Sequence, residues 1–232
     1  MDKWFESVSG GTQLSPEALY ALRTDGFVVM PGPVRAARWA DLYDEVVSGA
    51  LPDDIEIGST TTRVRDFVNR DAEFDGLFLY PPLLQACCCV IEHPFKLSTM
   101  HARTLRPRTS AQQLHVDFPG DVQGWPMVGF ILMIDDFTAE NGATCFIPGS
   151  QGTSTPPASS SLVPARGPAG SVIAFNGSVW HGHGPNRTDS PRRSIQGAYI
   201  RRTETSDETL PARMRPETLD RMGALAKYLL AV

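Results

Sequence analysis

Near residue 95 the chain changes texture, and this change limits its possible folds more than any other feature. Downstream come short runs rich in β-branched and aromatic residues: "FKLSTMHARTL", "QLHVDF", "MVGFILMIDDF", "ATCFIPG", "GSVIAFNG" and "RSIQGAYIRR". Pro, Gly, Asn and Ser punctuate them, as expected of strands and their turns. Several short strands at such spacing predict a sandwich or barrel-like double sheet. The Asn141-Gly142 pair in "AENGAT" is a turn signal between two runs. The Ser/Pro/Gly-rich segment 151–170 predicts a long loop, either functional or disordered.

Upstream the pattern is helical. Ser15 is placed to cap a first helix, Pro16 suits its first position and Gly26 its end. A short strand, 27–30, should follow. A second helix is expected over 34–47, where Trp39, Leu42, Tyr43 and Val46 recur at i, i+3, i+4, i+7. A third should run through "PLLQACCCVIE", and a last one over 216–230, so that the first hundred residues are largely helical. The expected fold class is α+β, mainly β: one domain spanning 1–232, with helices buttressing one sheet and a β core over about 95–202.

Composition removes some function classes. A length of 232 residues suits one substantial domain, and 41% hydrophobic with 20% charged residues is globular usage. A net charge of −5 argues against a nucleic-acid partner, which would need a clustered basic face. No apolar run reaches the roughly 20 residues a membrane helix needs. "MDKWFESVSGG" lacks the apolar region of a signal peptide, so a cytoplasmic location is expected. Cys87, Cys88 and Cys89 are consecutive, which fits neither a disulfide nor a zinc ribbon; small buried residues are the simpler reading.

The chemistry concentrates in "QQLHVDFPG" and "SVWHGHGPNRTDSPRRSIQ". On an extended strand His115 and Asp117 would share a face, as metal ligands or as a simple hydrogen-bonded pair. Of the five histidines, His93 looks like a helix boundary, and His101 lies mid-strand, where it could face core, substrate or solvent, a structural role being the simpler reading. His181 closes a strand at a glycine-rich turn, held on one side and open on the other. It stands ahead of His183 as third ligand. Two imidazoles and one carboxylate form the set that leaves a metal open positions for small molecules, as in non-haem Fe(II) oxygenases. Arg192 and Arg193 would point to opposite faces of the following strand, so one can enter the sheet interior and grip a carboxylate.

Together these segments resemble the phytanoyl-CoA dioxygenase family of Fe(II)- and 2-oxoglutarate-dependent oxygenases. The likeness is carried by "LSPEALYALRTDGFVVMPG", "LHVD", "LMIDDFTAENGATCFIPGSQ" and "AGSVIAFNGSVWHGHGPNRTDSPRRSIQ", across roughly 14–200. It implies a double-stranded β-helix, the cupin-like jelly roll. It also implies His115, Asp117 and His181 as iron ligands, and Arg192 on the distal carboxylate of 2-oxoglutarate. Gln112 and Thr144 are further contacts to that cosubstrate. His183 departs from the family, which often has Ser there. Asp117 disfavours halogenation, because halogenating relatives carry a small residue in its place. The implied activity is hydroxylation of an aliphatic C–H in a small organic metabolite, with O2 consumed and 2-oxoglutarate decarboxylated to succinate and CO2. Desaturation, epimerisation and cyclisation start the same way. Phe118, Trp125 and the 151–170 loop are candidate covers of the pocket, and Arg63, Arg65 and Arg103 are scattered basic candidates. A non-oxidative cupin-like metal protein would carry similar ligands without needing the arginine clamp.

Overall fold

Ser15 accepts the Ala18 N–H and so caps α1 (Pro16–Thr24), as its sequence position predicts. Gly26, at φ +83°, turns the chain into β1 (Phe27–Pro31). The structure is a computed structural model describing residues 8, 10–11, 13–33, 36–157, 162–205 and 210–232. Helix α2 (Ala36–Ser48) buries Trp39 and Tyr43 from the expected stripe; the first two residues expected in it, 34–35, lie outside the described residues. A hairpin of β2 (Ile55–Ile57) and β3 (Thr61–Val64) then interrupts the largely helical reading of this region. Its two arms are only 3 and 4 residues long, too short for strand periodicity to stand out.

A short helix α3 (Asp75–Phe78) leads into α4 (Pro81–Ile91), which buries Cys87 and Cys88. Burial pushes the Cys88 thiol up to about 12, the behaviour of an inert core residue. By length and composition Ala72–Ile91 is apolar enough to cross a membrane, yet most of it is packed inside the protein.

The strands that follow are β4 (Phe95–Leu105), β5 (Met127–Met133), β6 (Thr144–Phe146), β7 (Val163–Pro164), β8 (Ser171–Asn176), β9 (His181–His183) and β10 (Arg192–Arg201). They form two antiparallel sheets. The larger has the order β1-β8-β5-β10-β4-β3-β2 and the smaller β7-β6-β9. One face of the larger sheet packs Phe95, Leu97, Val128, Leu132, Val172 and Tyr199 against the helices. Its other face, with Ile131, Met133, Ile173 and Phe175, meets Phe146 and Phe137 of the smaller layer. Alternation along each strand thus divides the chain between a helix-backed core and an inter-sheet space. This is the expected α+β jelly roll with buttressing helices.

Two expected elements differ. "QLHVDF" is irregular and touches the small sheet only through an isolated bridge between His115 and His181. The expected last helix is two, α6 (Pro216–Arg221) and α7 (Ala224–Leu230), after a short α5 (Leu210–Arg213). Gly223 breaks it by adopting an extended backbone, ψ 172°, which helix propensity favours at glycine.

Candidate metal centre and its cavity

His115, Asp117 and His181 converge although no regular strand carries the first two. The His115 and His181 amides each donate to the other's carbonyl at 3.0 Å, and the Asp117 amide donates to the Gly177 carbonyl at 2.8 Å. These bonds stitch the irregular segment onto the turn after β8 and replace the pleat that strand geometry would have supplied. The donor atoms of the three side chains lie within 4.8 Å of one another.

The imidazoles are set in one tautomer. His115 Nδ1 lies 3.1 Å from the Gln113 carbonyl and His181 Nδ1 2.9 Å from the Val179 carbonyl. A carbonyl oxygen only accepts, so both Nδ1 atoms carry the proton and both Nε2 lone pairs stay free for a metal. Those Nε2 atoms stand 3.4 and 3.5 Å from the two carboxylate oxygens of Asp117. Such separations are long for direct hydrogen bonds and suit three ligands disposed about a common point. Desolvation alone would raise the Asp117 carboxyl; the interactions with His115 and His181 outweigh it and hold the group well below the usual carboxylate range. The same contact with Asp117 raises His115 against the opposing effect of its own burial. The donor set, two imidazoles and a carboxylate, fits a divalent transition metal with vacant coordination positions.

All six residues singled out in the sequence line one cavity of about 400 Å³ between the sheets: His115, Asp117, His181, Arg192, Gln112 and Thr144. Arg192 opens β10 and is 1% exposed, its guanidinium carbon 4.2 Å from the centre of the Phe137 ring. Its Nε and Nη1 are buried with no hydrogen-bond partner, and burial pulls it down to about 9. Arg193, on the opposite face, pairs with Asp135 and Asp44 at the surface. Thr144 is buried and stands opposite His183 in the β6–β9 register. Gln112 donates its amide to the His183 carbonyl at 3.0 Å. His183 belongs to the cavity wall and not to the ligand cluster: its Nδ1 donates to the Gly184 carbonyl and its Nε2 meets the Thr60 hydroxyl at 3.3 Å. Burial lowers it to about 4, so it is neutral near pH 7.

Phe118 lines the cavity and Trp125 does not; Trp125 packs beside Gly120 and Gly152. Among the described residues of 151–170, none lines the cavity, and Val163–Pro164 form the edge strand of the small sheet. The sequence reading missed Thr99 on β4 and Gln196 on β10, preferred a structural role for His101 and left Arg103 among scattered basic candidates; all four line the cavity, the β4 residues by alternating inward. The available signal was the period of two along "STMHARTL".

Jelly-roll layers enclosing two imidazoles, a carboxylate and an unpaired arginine define the scaffold of a non-haem metal oxygenase. Comparison with known proteins agrees. The family profile described as Phytanoyl-CoA dioxygenase (PhyH) matches residues 22–194, and the chain belongs to that family, making it an enzyme of the Fe(II)/2-oxoglutarate oxygenase class. Among curated proteins it resembles "Dioxygenase FrzG" of a Cladobotryum species, 29% identical over 89% of this chain and 81% of the relative. "Dioxygenase trt7" of Aspergillus terreus is 30% identical over 62% of this chain, which spans 56% of that longer relative. Among solved structures, HygX from Streptomyces hygroscopicus, crystallised with nickel and 2-oxoglutarate, superposes with a TM-score of 0.70 at 19% identity, covering 84% of this chain and 90% of that one. The carbocyclase SnoK from nogalamycin biosynthesis gives 0.70 at 17% identity over 90% and 93%. At such identities the structural likeness establishes the shared fold.

Proposed function

We propose that this protein hydroxylates an aliphatic C–H of a small organic metabolite, consuming O2 and converting 2-oxoglutarate to succinate and CO2. The observation that carries this reading is Arg192, a buried guanidinium without an anion, in the same cavity as the His115, Asp117 and His181 cluster. A permanently charged group is retained in such a place when a ligand supplies the missing carboxylate. Iron held by the cluster would activate O2 with 2-oxoglutarate as reductant; that chemistry belongs to the metal and cosubstrate.

The chain's own part is positioning. His115 and His181 present Nε2, with their Nδ1 protons fixed on backbone carbonyls. Asp117 completes the set and remains ionised. Arg192 takes the distal carboxylate of the cosubstrate, steadied from below by Phe137. Thr144 offers a hydroxyl from the small sheet, and Gln112 borders the same space. Phe118 and Phe175 supply apolar walls that keep water from the reacting carbon. The carboxylate at 117 fills the position that a halide would need, which favours hydroxylation over halogenation.

The test is incubation of the iron-loaded protein with 2-oxoglutarate, ¹⁸O2 and a small-molecule extract of the source organism. Hydroxylation predicts a metabolite that gains one labelled oxygen while succinate gains the other. A consumed metabolite that loses two hydrogens, or changes only in chromatographic retention, contradicts hydroxylation in favour of desaturation or epimerisation.

A further inference from the structure

The charges in the cavity do not close on metal and cosubstrate. Three arginines line it, Arg63, Arg103 and Arg192, against one carboxylate, Asp117. A divalent iron and doubly anionic 2-oxoglutarate cancel one another, and Asp117 offsets one arginine. Two positive charges remain in a partly desolvated space, where an unmatched charge is costly.

The surplus is localised. Arg63 on β3 and Arg103 on β4 are register partners, so their side chains rise from the same face of the larger sheet. Arg103 donates from Nη1 to the Gln196 side-chain oxygen at 3.1 Å, while its Nε is buried without a partner. Among the described residues no carboxylate forms an ion pair with Arg103. Arg63 meets Glu56 at 3.9 Å, near the limit of an ion pair, and its side chain is 39% exposed. His101 lies two residues before Arg103 on the same strand face, and its Nε2 is also buried with no partner. Two groups with buried, unpartnered nitrogens, Arg103 and His101, thus stand together on β4, with the loosely paired Arg63 beside them on β3. Apolar rings flank the ligand cluster: Phe118 follows Asp117, and the Phe175 ring lies 4.8 Å from that of His181.

We propose that the substrate is itself an anion, an apolar chain or ring ending in an oxyanion, which docks on Arg103 and Arg63 beside His101 with its apolar body toward Phe118, Phe175 and the ligand cluster. Carboxylate and phosphate ester share the chemistry that an arginine fork recognises. The docking rests on the oxygenase reading and adds the substrate class to it. Arg192 holds the cosubstrate; Arg103, Arg63 and His101 select the substrate. A neutral His101 can give one N–H to the oxyanion while its Nδ1 keeps the Thr99 hydroxyl, 3.3 Å away.

The experiment is an anaerobic calorimetric titration of the protein loaded with Fe(II) and 2-oxoglutarate. The probes are ω-phenylalkanoates of increasing length, the matching phenylalkyl phosphates and the neutral ω-phenylalkanamides. The visible metal-to-cosubstrate band is recorded on the same samples. At least one oxyanion should bind about tenfold or more tightly than its amide, with the carboxylate and phosphate arms showing which headgroup fits. Arg103→Gln should erase this preference with 2-oxoglutarate affinity changed by less than about threefold, and Arg103→Lys should restore part of it. Arg63→Gln, on the accessible rim, should weaken the oxyanions alone and guards against a folding defect at Arg103. Docking is overturned if no oxyanion outbinds its amide. It is equally overturned if Arg103→Gln weakens 2-oxoglutarate and leaves the preference intact. A wild-type sample without the band defeats the oxygenase reading and the docking together; a band with no oxyanion preference defeats the docking alone.

Discussion

Arg192 and Arg193 are adjacent in the chain and face opposite sides of one strand. Arg193 spends its charge on Asp135 and Asp44, whereas Arg192 is enclosed with two unmet donor atoms. A charge kept in that state serves a ligand at the expense of the empty fold. Arg192→Met should therefore leave the melting temperature of the ligand-free protein unchanged or raised, while 2-oxoglutarate affinity falls by about 2–4 kcal/mol. A clear loss of ligand-free stability with intact affinity would make Arg192 structural. His101 gives a second residue-scale expectation. Burial lowers it from 6.5 to about 3. Between those values the unfolded chain binds a proton that the folded chain refuses, so stability rises with pH. The contribution is complete above about 6.5 and is lost as pH falls toward 3, with a slope of at most about 1.4 kcal/mol per pH unit. Urea unfolding of the ligand-free protein at several mildly acidic pH values should show a shallower slope in His101→Gln than in wild type.

At the scale of elements, β10 organises the molecule. It pairs with both β4 and β5, turning Arg192 and Gln196 to the cavity and Ile195 and Tyr199 to the helix-backed core. The tight turn at Asn141-Gly142 delivers Thr144 to the same cavity. Gly142 has φ +80°, and an added Cβ would stand 2.4 Å from a Leu105 methyl and 3.0 Å from the Gly184 carbonyl. Gly142→Ala should destabilise by about 1–3 kcal/mol in thermal or urea unfolding, since both backbone strain and overpacking oppose it; an unchanged midpoint would refute that account.

The long strands β4, β5, β8 and β10 were legible because each is a run of β-branched and aromatic residues between turn formers. The His115 segment was not, because hydrogen bonds to residues 177 and 181, far along the chain, fix its shape. The α6–α7 break was overlooked although Gly223 marks it. For the site, His181 and Arg192 were legible because each flanks a strand visible in the sequence, whereas His115 and Asp117 were legible through their His-x-Asp spacing alone. Arg63 and Arg103 looked scattered, because only the pairing of β3 with β4 makes them neighbours.

The whole molecule joins an acidic exterior to a cationic interior. The chain carries a net charge of −5, yet its cavity gathers three arginines around one carboxylate. The helices close one face of the larger sheet, leaving the inter-sheet space as the place where polar groups concentrate. That architecture assigns the fold's stability to one face and its chemistry to the other. The central claim is that His115, Asp117 and His181 bind iron in the space where Arg192 binds 2-oxoglutarate. Anaerobic addition of Fe(II) and 2-oxoglutarate to the folded protein tests it most directly, through the weak visible charge-transfer band of the bound pair. The band should form in wild type, vanish in Asp117→Ala and require much more 2-oxoglutarate in Arg192→Met. No band in folded wild type, or an undiminished band in Asp117→Ala, would contradict the account.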